Sequence, residues 1–131
     1  MTYPHNFILL ADDDTDDQEL IKMAFEMTTS AHSFEIVSNG QEALNALHQR
    51  QNLPCVIVLD LNMPVLNGIQ TLKKLKTSTE YDKIPKVILT TSDSEESRKM
   101  SYLNGAADYL VKPDTLEGLL TTVKKILSHC Q

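Results

Sequence analysis

The sequence predicts an α/β fold, a doubly wound sheet of five parallel strands alternating with five helices. Three observations lead there. The runs Phe7–Ala11, Cys55–Leu59 and Val87–Leu89 are apolar throughout, as strands are when both faces of a parallel sheet are covered. The stretches between them carry apolar residues at helical spacing. Asn39-Gly40, Asn67-Gly68 and Asn104-Gly105 fall at the boundaries, where turn and cap signals belong.

Taken in order, Phe7–Ala11 opens the chain as a strand, and Leu20, Ile21, Ala24 and Phe25 then share one helical face. Phe34–Val37 is a weaker strand, followed by a helix on Ala43, Leu44 and Leu47. After Cys55–Leu59, Ile69, Leu72 and Leu75 repeat at threes. The polar segment Thr77–Lys86 reads as a long connection, either a partner-facing loop or a tolerated insertion. A strand over Val87–Leu89 ends in Thr90, and a less apolar helix spans Glu95–Asn104 with Gly105 as its C-cap. Asp108–Val111 is the second weak strand. The last helix is the clearest, with Leu116, Leu119, Leu120, Val123, Ile126 and Leu127 on one stripe.

A chain of 131 residues has the length of a single domain, here residues 1–131 with a core over about 7–128. A formal net charge of −6 and the lack of a dense Lys/Arg run argue against nucleic acid as partner. The first residues, Met1 to Asn6, have no basic region followed by an apolar one, and no apolar stretch could span a bilayer. A cytoplasmic protein without membrane attachment is expected. Cys55 and Cys130 show no metal-ligand spacing, and in a reducing compartment no disulfide is expected between them. His5, His32, His48 and His129 are scattered and receive no function.

In doubly wound sheets ligands bind beyond the carboxyl ends of the strands. The residues found there are Asp12 and Asp13 after the first strand, Asp60 after the third, Thr90 at the end of the fourth, and Lys112-Pro113 after the fifth. The segment Ala11–Asp17, ADDDTDD, is a puzzle in itself. Two like charges about 4 Å apart repel by roughly 4 kcal/mol at an effective dielectric near 20. A cluster of carboxylates draws a hard cation with oxygen ligands, and Lys112 adds a positive charge from another strand. Such a crevice suits phosphoryl transfer, in which positioning and charge stabilisation do most of the work.

These motifs in fixed order resemble the receiver domain of two-component response regulators. The acidic pair Asp12-Asp13, the D-x-x-M-P-x-x-x-G segment Asp60–Gly68, Thr90 and Lys112-Pro113 carry the resemblance, which extends over about Phe7 to Leu127. It implies a flavodoxin-like sheet of order 2-1-3-4-5. It implies that Asp60 accepts a phosphoryl group from a histidine kinase or phosphotransfer protein. Mg2+ (or Mn2+) would be held by Asp13, Asp60 and the backbone carbonyl of Asn62, with Asp12 acting through water. Lys112 and the Thr90 hydroxyl would each bond a phosphoryl oxygen. Tyr109 would be the switch aromatic, Asn62 and Thr91 would modulate access of water, and Lys112-Pro113 is a cis-peptide candidate. The surface of the fourth helix, fifth strand and fifth helix, about Glu95 to Ser128, would carry the signal to a protein target. A stand-alone switch with no output domain is expected.

Asp16 and Asp17 read as a solvated helix N-terminus, and Asp14 is left open. Calcium binding by an EF-hand fails because Asp17 and Met23 stand where Gly and Glu are needed. A haloacid-dehalogenase-type phosphatase would share an Asp-x-Asp pair but lacks room for its cap. A phosphorylation-independent interaction module would typically have lost a site residue, and this chain retains all of them. A relay intermediate shares the same site.

Overall fold

The computed structural model describes residues 7–49 and 52–130. Met1–Asn6, with the expectations placed on them and on His5, lie outside the described residues. The strands are β1 (Phe7–Ala11), β2 (Ser33–Val37), β3 (Val56–Leu59), β4 (Lys86–Thr90) and β5 (Asp108–Val111). They form one parallel sheet in the order β2-β1-β3-β4-β5, as expected. The helices are α1 (Thr15–Thr28), α2 (Gly40–Gln49), α3 (Gly68–Lys76), the single turn α4 (Thr79–Asp82), α5 (Glu95–Leu103) and α6 (Leu116–Leu127).

The period of two in the strands divides the interior into two cores. Ile8, Leu10, Val56, Val58, Val87 and Leu89 face α1 and α6, where Ile21, Phe25, Leu119, Val123 and Ile126 are buried. Leu9, Ala11, Ile57, Leu59 and Ile88 face the opposite layer, against Leu44, Leu47, Leu72, Leu75 and Tyr109. This explains why the central strands are apolar at every position. Helix starts are fixed by side chains that accept from otherwise orphaned N–H groups. Asp14, Asn67, Ser94 and Thr115 cap α1, α3, α5 and α6, and Asn67 with Gln70 forms a capping box. Gly105 follows α5 with φ +102°, a conformation open to glycine at a helix end.

Two expectations are corrected here. Five helices become six, because Thr77–Lys86 is partly built into the core. Tyr81 and Ile84 are buried, and the Tyr81 hydroxyl meets His48 Nδ1 at 3.3 Å. Lys86, only 5% exposed, donates to the carbonyls of Tyr81 at 2.6 Å and Asp82 at 3.1 Å. Burial holds its ammonium below the ordinary lysine range, with the Asp82 charge opposing in part. The second correction concerns the cysteines. Cys55 and Cys130 are joined by a disulfide, their Cα atoms 4.8 Å apart and 75 residues apart in sequence, a separation within disulfide reach. The fold brings the start of β3 beside the turn after α6, which no local spacing announces.

Lys86 fastens α4 through bonds that a thioether cannot make. Lys86→Met should lower unfolding stability by about 1–3 kcal/mol while preserving the sheet, as read by urea titration. A variant as stable as the parent would show that α4 is held by its apolar contacts alone.

Candidate functional site

The parallel ladder delivers the site residues to one edge. Asp12 N–H donates to the Val37 carbonyl at 3.0 Å, Asp60 N–H to Ala11 at 3.0 Å, and Lys112 N–H to Thr90 at 2.7 Å. Each residue therefore stands one step beyond its strand, with its backbone still held by a neighbour. All five sequence-predicted strand-end residues, Asp12, Asp13, Asp60, Thr90 and Lys112, flank the same end of the sheet.

The Lys112 ammonium is the hub. Its Nζ lies 2.7 Å from Asp12 Oδ2, 2.7 Å from Asp17 Oδ2 and 2.8 Å from Asp60 Oδ2. Burial alone would lower the lysine pKa, but the three carboxylate bonds outweigh it and raise it above the ordinary range. Asp12 is 1% exposed. Burial raises its carboxyl above the usual carboxylate range, because the opposing hydrogen bonds from Lys112 and the Asp14 N–H do not fully compensate. One ammonium shared among several carboxylates leaves negative charge in excess.

Asp17 is the residue that sequence reasoning missed, since it was read as a solvated helix residue. The signal was present in Asp14. This residue is the N-cap of α1, its Oδ1 accepting from Asp16 N–H at 2.9 Å and Asp17 N–H at 3.0 Å. The cap fixes the first turn so that Asp17 reaches back over the crevice. Gln18 adds a side-chain bond to the Asp12 carbonyl.

Carboxylate oxygens of Asp12, Asp13 and Asp60 lie within 4.8 Å of one another. A hard oxygen donor set with surplus negative charge fits Mg2+ or Mn2+. Asp60 Oδ1 also accepts weakly from Asn62 N–H at 3.4 Å. Thr90 is fully buried, and its Oγ1 accepts from Ser92 N–H at 3.4 Å. Tyr109 is buried too; its hydroxyl donates to the Ser92 carbonyl at 2.7 Å, and the Arg98 guanidinium sits 4.6 Å from its ring centroid. Thr91 and Asn62 are exposed at the rim. The Lys112–Pro113 bond is not cis, which corrects that expectation. The trans form is intrinsically preferred at X-Pro, and it already sets Lys112 among the carboxylates.

The loop after β3 is tightly constrained. Val65 has φ +67°, uncommon for a β-branched residue, and Leu66 N–H donates to the Pro64 carbonyl at 2.7 Å around it. Gly68 N–H donates to the Leu61 carbonyl at 3.0 Å. A Cβ on Gly68 would meet the Asp60 carbonyl oxygen at 2.5 Å and Leu61 Cα at 2.9 Å. The glycine of the D-x-x-M-P-x-x-x-G segment is thus required by close approach of α3 to the backbone of Asp60.

Two outcomes are expected. Lys112→Met leaves buried Asp12 and Asp60 without their cation and should cost about 3 kcal/mol or more in metal-free buffer. Mg2+ should restore more stability to this variant than it adds to the parent, as read by urea unfolding with and without the ion; an equal response would count against a shared charge balance. Gly68→Ala should destabilise the fold by about 1–3 kcal/mol through overpacking and disturb the Asp60 loop, seen as amide shifts confined to residues around 60–68.

The response regulator receiver domain family matches residues 8–124. The chain is 35% identical over 126 residues to the "Probable methanogenesis regulatory protein FilR2" of Methanothrix harundinacea, covering 93% of this chain and 81% of that protein. It is 38% identical over 128 residues to the transcriptional regulatory protein SrrA of Staphylococcus aureus, covering 96% of this chain but only 49% of SrrA. Among solved structures, the phosphorylated cyanobacterial phytochrome response regulator RcpA superposes with a TM-score of 0.87 at 32% identity, covering 96% of this chain and 94% of that one. The Mn2+-bound form of response regulator Rcp1 gives 0.83 at 32% identity, covering 94% and 92%. With its sheet order, its strand-end residues and these relatives in agreement, the chain belongs to the response regulator receiver domain family of two-component systems.

Proposed function

We propose that this receiver accepts a phosphoryl group on Asp60 and uses it to switch a protein-binding surface. The observation that carries the reading is the convergence of Asp12, Asp13 and Asp60 within 4.8 Å, with Lys112 Nζ at 2.8 Å from Asp60. Receiver domains bind divalent metal and exchange phosphoryl groups with histidine kinases or phosphotransfer proteins. Here Asp13, Asp60 and the Asn62 carbonyl would hold Mg2+ or Mn2+, with Asp12 acting through water. The ion when bound supplies positive charge against the carboxylates and the phosphoryl oxygens.

The chain's own groups then act as follows. A carboxylate oxygen of Asp60 attacks the phosphorus of a phosphohistidine. The P–N bond breaks, its electron pair goes to the imidazole nitrogen, and an acyl phosphate forms on Asp60. Lys112 exchanges its bond to Asp60 for one to a phosphoryl oxygen, and the Thr90 hydroxyl turns to another. Attack by water on phosphorus later releases phosphate and restores Asp60. Asn62 and Thr91 at the rim govern that access. The domain is a signal transducer that carries out these steps on its own aspartate.

Movement of Thr90 bears on Ser92, which both accepts the Tyr109 hydroxyl and donates to Thr90. Tyr109 is thereby the switch aromatic, and the surface of α5, β5 and α6 is the output. Tyr102 and Leu103 are exposed there and suit a downstream protein partner. No described helix is long and apolar enough to cross a membrane; on this reading a kinase donor charged from ATP would meet the domain in the cytoplasm.

Incubation of the protein with acetyl phosphate and Mg2+, followed by intact mass, tests the reading. One labile phosphoryl adduct is expected, absent from Asp60→Asn and from metal-free samples. A folded, Mg2+-binding protein that takes no phosphoryl group from either acetyl phosphate or phosphorylated kinases would favour a phosphorylation-independent interaction module.

A further inference from the structure

A second cluster of metal-ligating side chains lies at the other end of the sheet. His32 immediately precedes β2, Cys55 immediately precedes β3, and Cys130 follows α6. A ring nitrogen of His32 and the two sulfurs lie within 4.8 Å of one another, and the sulfurs are bonded as a disulfide. We propose that, once this disulfide is reduced, the thiolates of Cys55 and Cys130 and the imidazole of His32 form a site for a soft divalent cation of the zinc class.

The donor chemistry is selective. Two thiolates and an imidazole suit Zn2+ or its spectroscopic substitute Co2+, whereas Mg2+ favours the carboxylates at the opposite end. The dimensions also agree. Metal–sulfur bonds of about 2.3 Å and metal–nitrogen bonds of about 2.0–2.1 Å put tetrahedral ligands roughly 3.5–3.8 Å apart, a spread inside the 4.8 Å that holds the three donors once the bonded sulfurs part on reduction. Each ligand is fixed by a different element. Cys55 is 6% exposed, and its N–H donates to the Phe7 carbonyl at 2.9 Å; Cys130 N–H donates to Leu127 at 2.9 Å.

The histidine is oriented from behind. His32 Nδ1 lies 3.0 Å from Thr29 Oγ1, which also accepts from Ala31 N–H at 3.1 Å. With Nδ1–H donating to this hydroxyl, an oxygen acceptor in the outer-shell role, Nε2 is the ligating nitrogen of the proposed site. A cavity of about 450 Å3 borders Cys55.

The exchange balances in two steps. A dithiol reductant passes two electrons and two protons to the Cys55–Cys130 bond, giving two thiols and a reductant disulfide. Binding of one divalent ion then releases the two thiol protons. The turn after α6 is tied to the amino end of β3 covalently when oxidised, and to the amino ends of both β2 and β3 through the ion when reduced.

Titration of the phosphine-reduced, metal-stripped chain with Co2+ under argon tests this. One ion per chain should give thiolate-to-cobalt charge-transfer absorption and strong tetrahedral visible bands, release two protons, and be bleached by Zn2+. Cys55→Ser and Cys130→Ser should abolish the charge-transfer band. His32→Ala should weaken binding by more than the roughly 10–100-fold that loss of an outer-shell partner costs. Asp60→Asn should leave the bands intact, and circular dichroism checks that each variant is folded. Absence of charge transfer in the folded, reduced parent overturns the proposal. So does an affinity unchanged in His32→Ala, which would leave the cysteines as a disulfide pair and no more.

Discussion

One ammonium surrounded by carboxylates is the constraint on which the rest of this structure depends. Lys112 comes from beyond β5, Asp12 and Asp17 from either side of the β1–α1 turn, and Asp60 from beyond β3, and all three acidic side chains meet Nζ within 2.8 Å. Removing such charges from water costs several kcal/mol per ion unless partners are well placed. The parallel ladder provides that placement by holding the backbone of each residue at a strand end. The raised carboxyl of Asp12 shows that the compensation is incomplete. The crevice is therefore poised to take more positive charge, and a group that brings its own oxygens can draw Lys112 away from the aspartates.

The same economy of partners links the crevice to the surface. Thr90 bonds to Ser92, Ser92 holds the Tyr109 hydroxyl, and Arg98 lies over the Tyr109 ring while also pairing with Asp93 at 3.1 Å. On the proposed reading, withdrawing the Thr90 hydroxyl acts on the first member of this chain. Arg98 and Tyr109 belong to the face that carries Tyr102 and Leu103, so a small change at a buried hydroxyl has a short physical route to an exposed apolar patch.

The two ends of the sheet differ in chemical character. Hard oxygen donors gather at the carboxyl ends of the strands, while sulfur and imidazole gather at the amino ends. Between them β1, β3 and β4 are buried on both faces, and closely packed interiors move as units. Fastening the turn after α6 to the start of the central strand β3 through the disulfide therefore anchors the sheet on which the crevice is built.

The sequence by itself determined the sheet, its five main helices and the residues at each strand end. These rest on uninterrupted apolar runs, on the helical period of 3.6 residues and on cap residues such as Asn67 and Gly105, which act within a few positions. The pairing of Asp12, Asp13, Asp60, Thr90 and Lys112 was legible because topology alone sends strand ends to one edge. Only the tertiary structure decided the rest. Asp17 is 95 residues from Lys112, and Cys55 is 75 from Cys130; no periodicity spans such distances. Lys86 looked like the last residue of a polar loop until Tyr81 and Asp82 were seen to turn their carbonyls onto it. Which charges share a partner is set by side-chain direction across packed layers, and that information exists only once the layers are in contact.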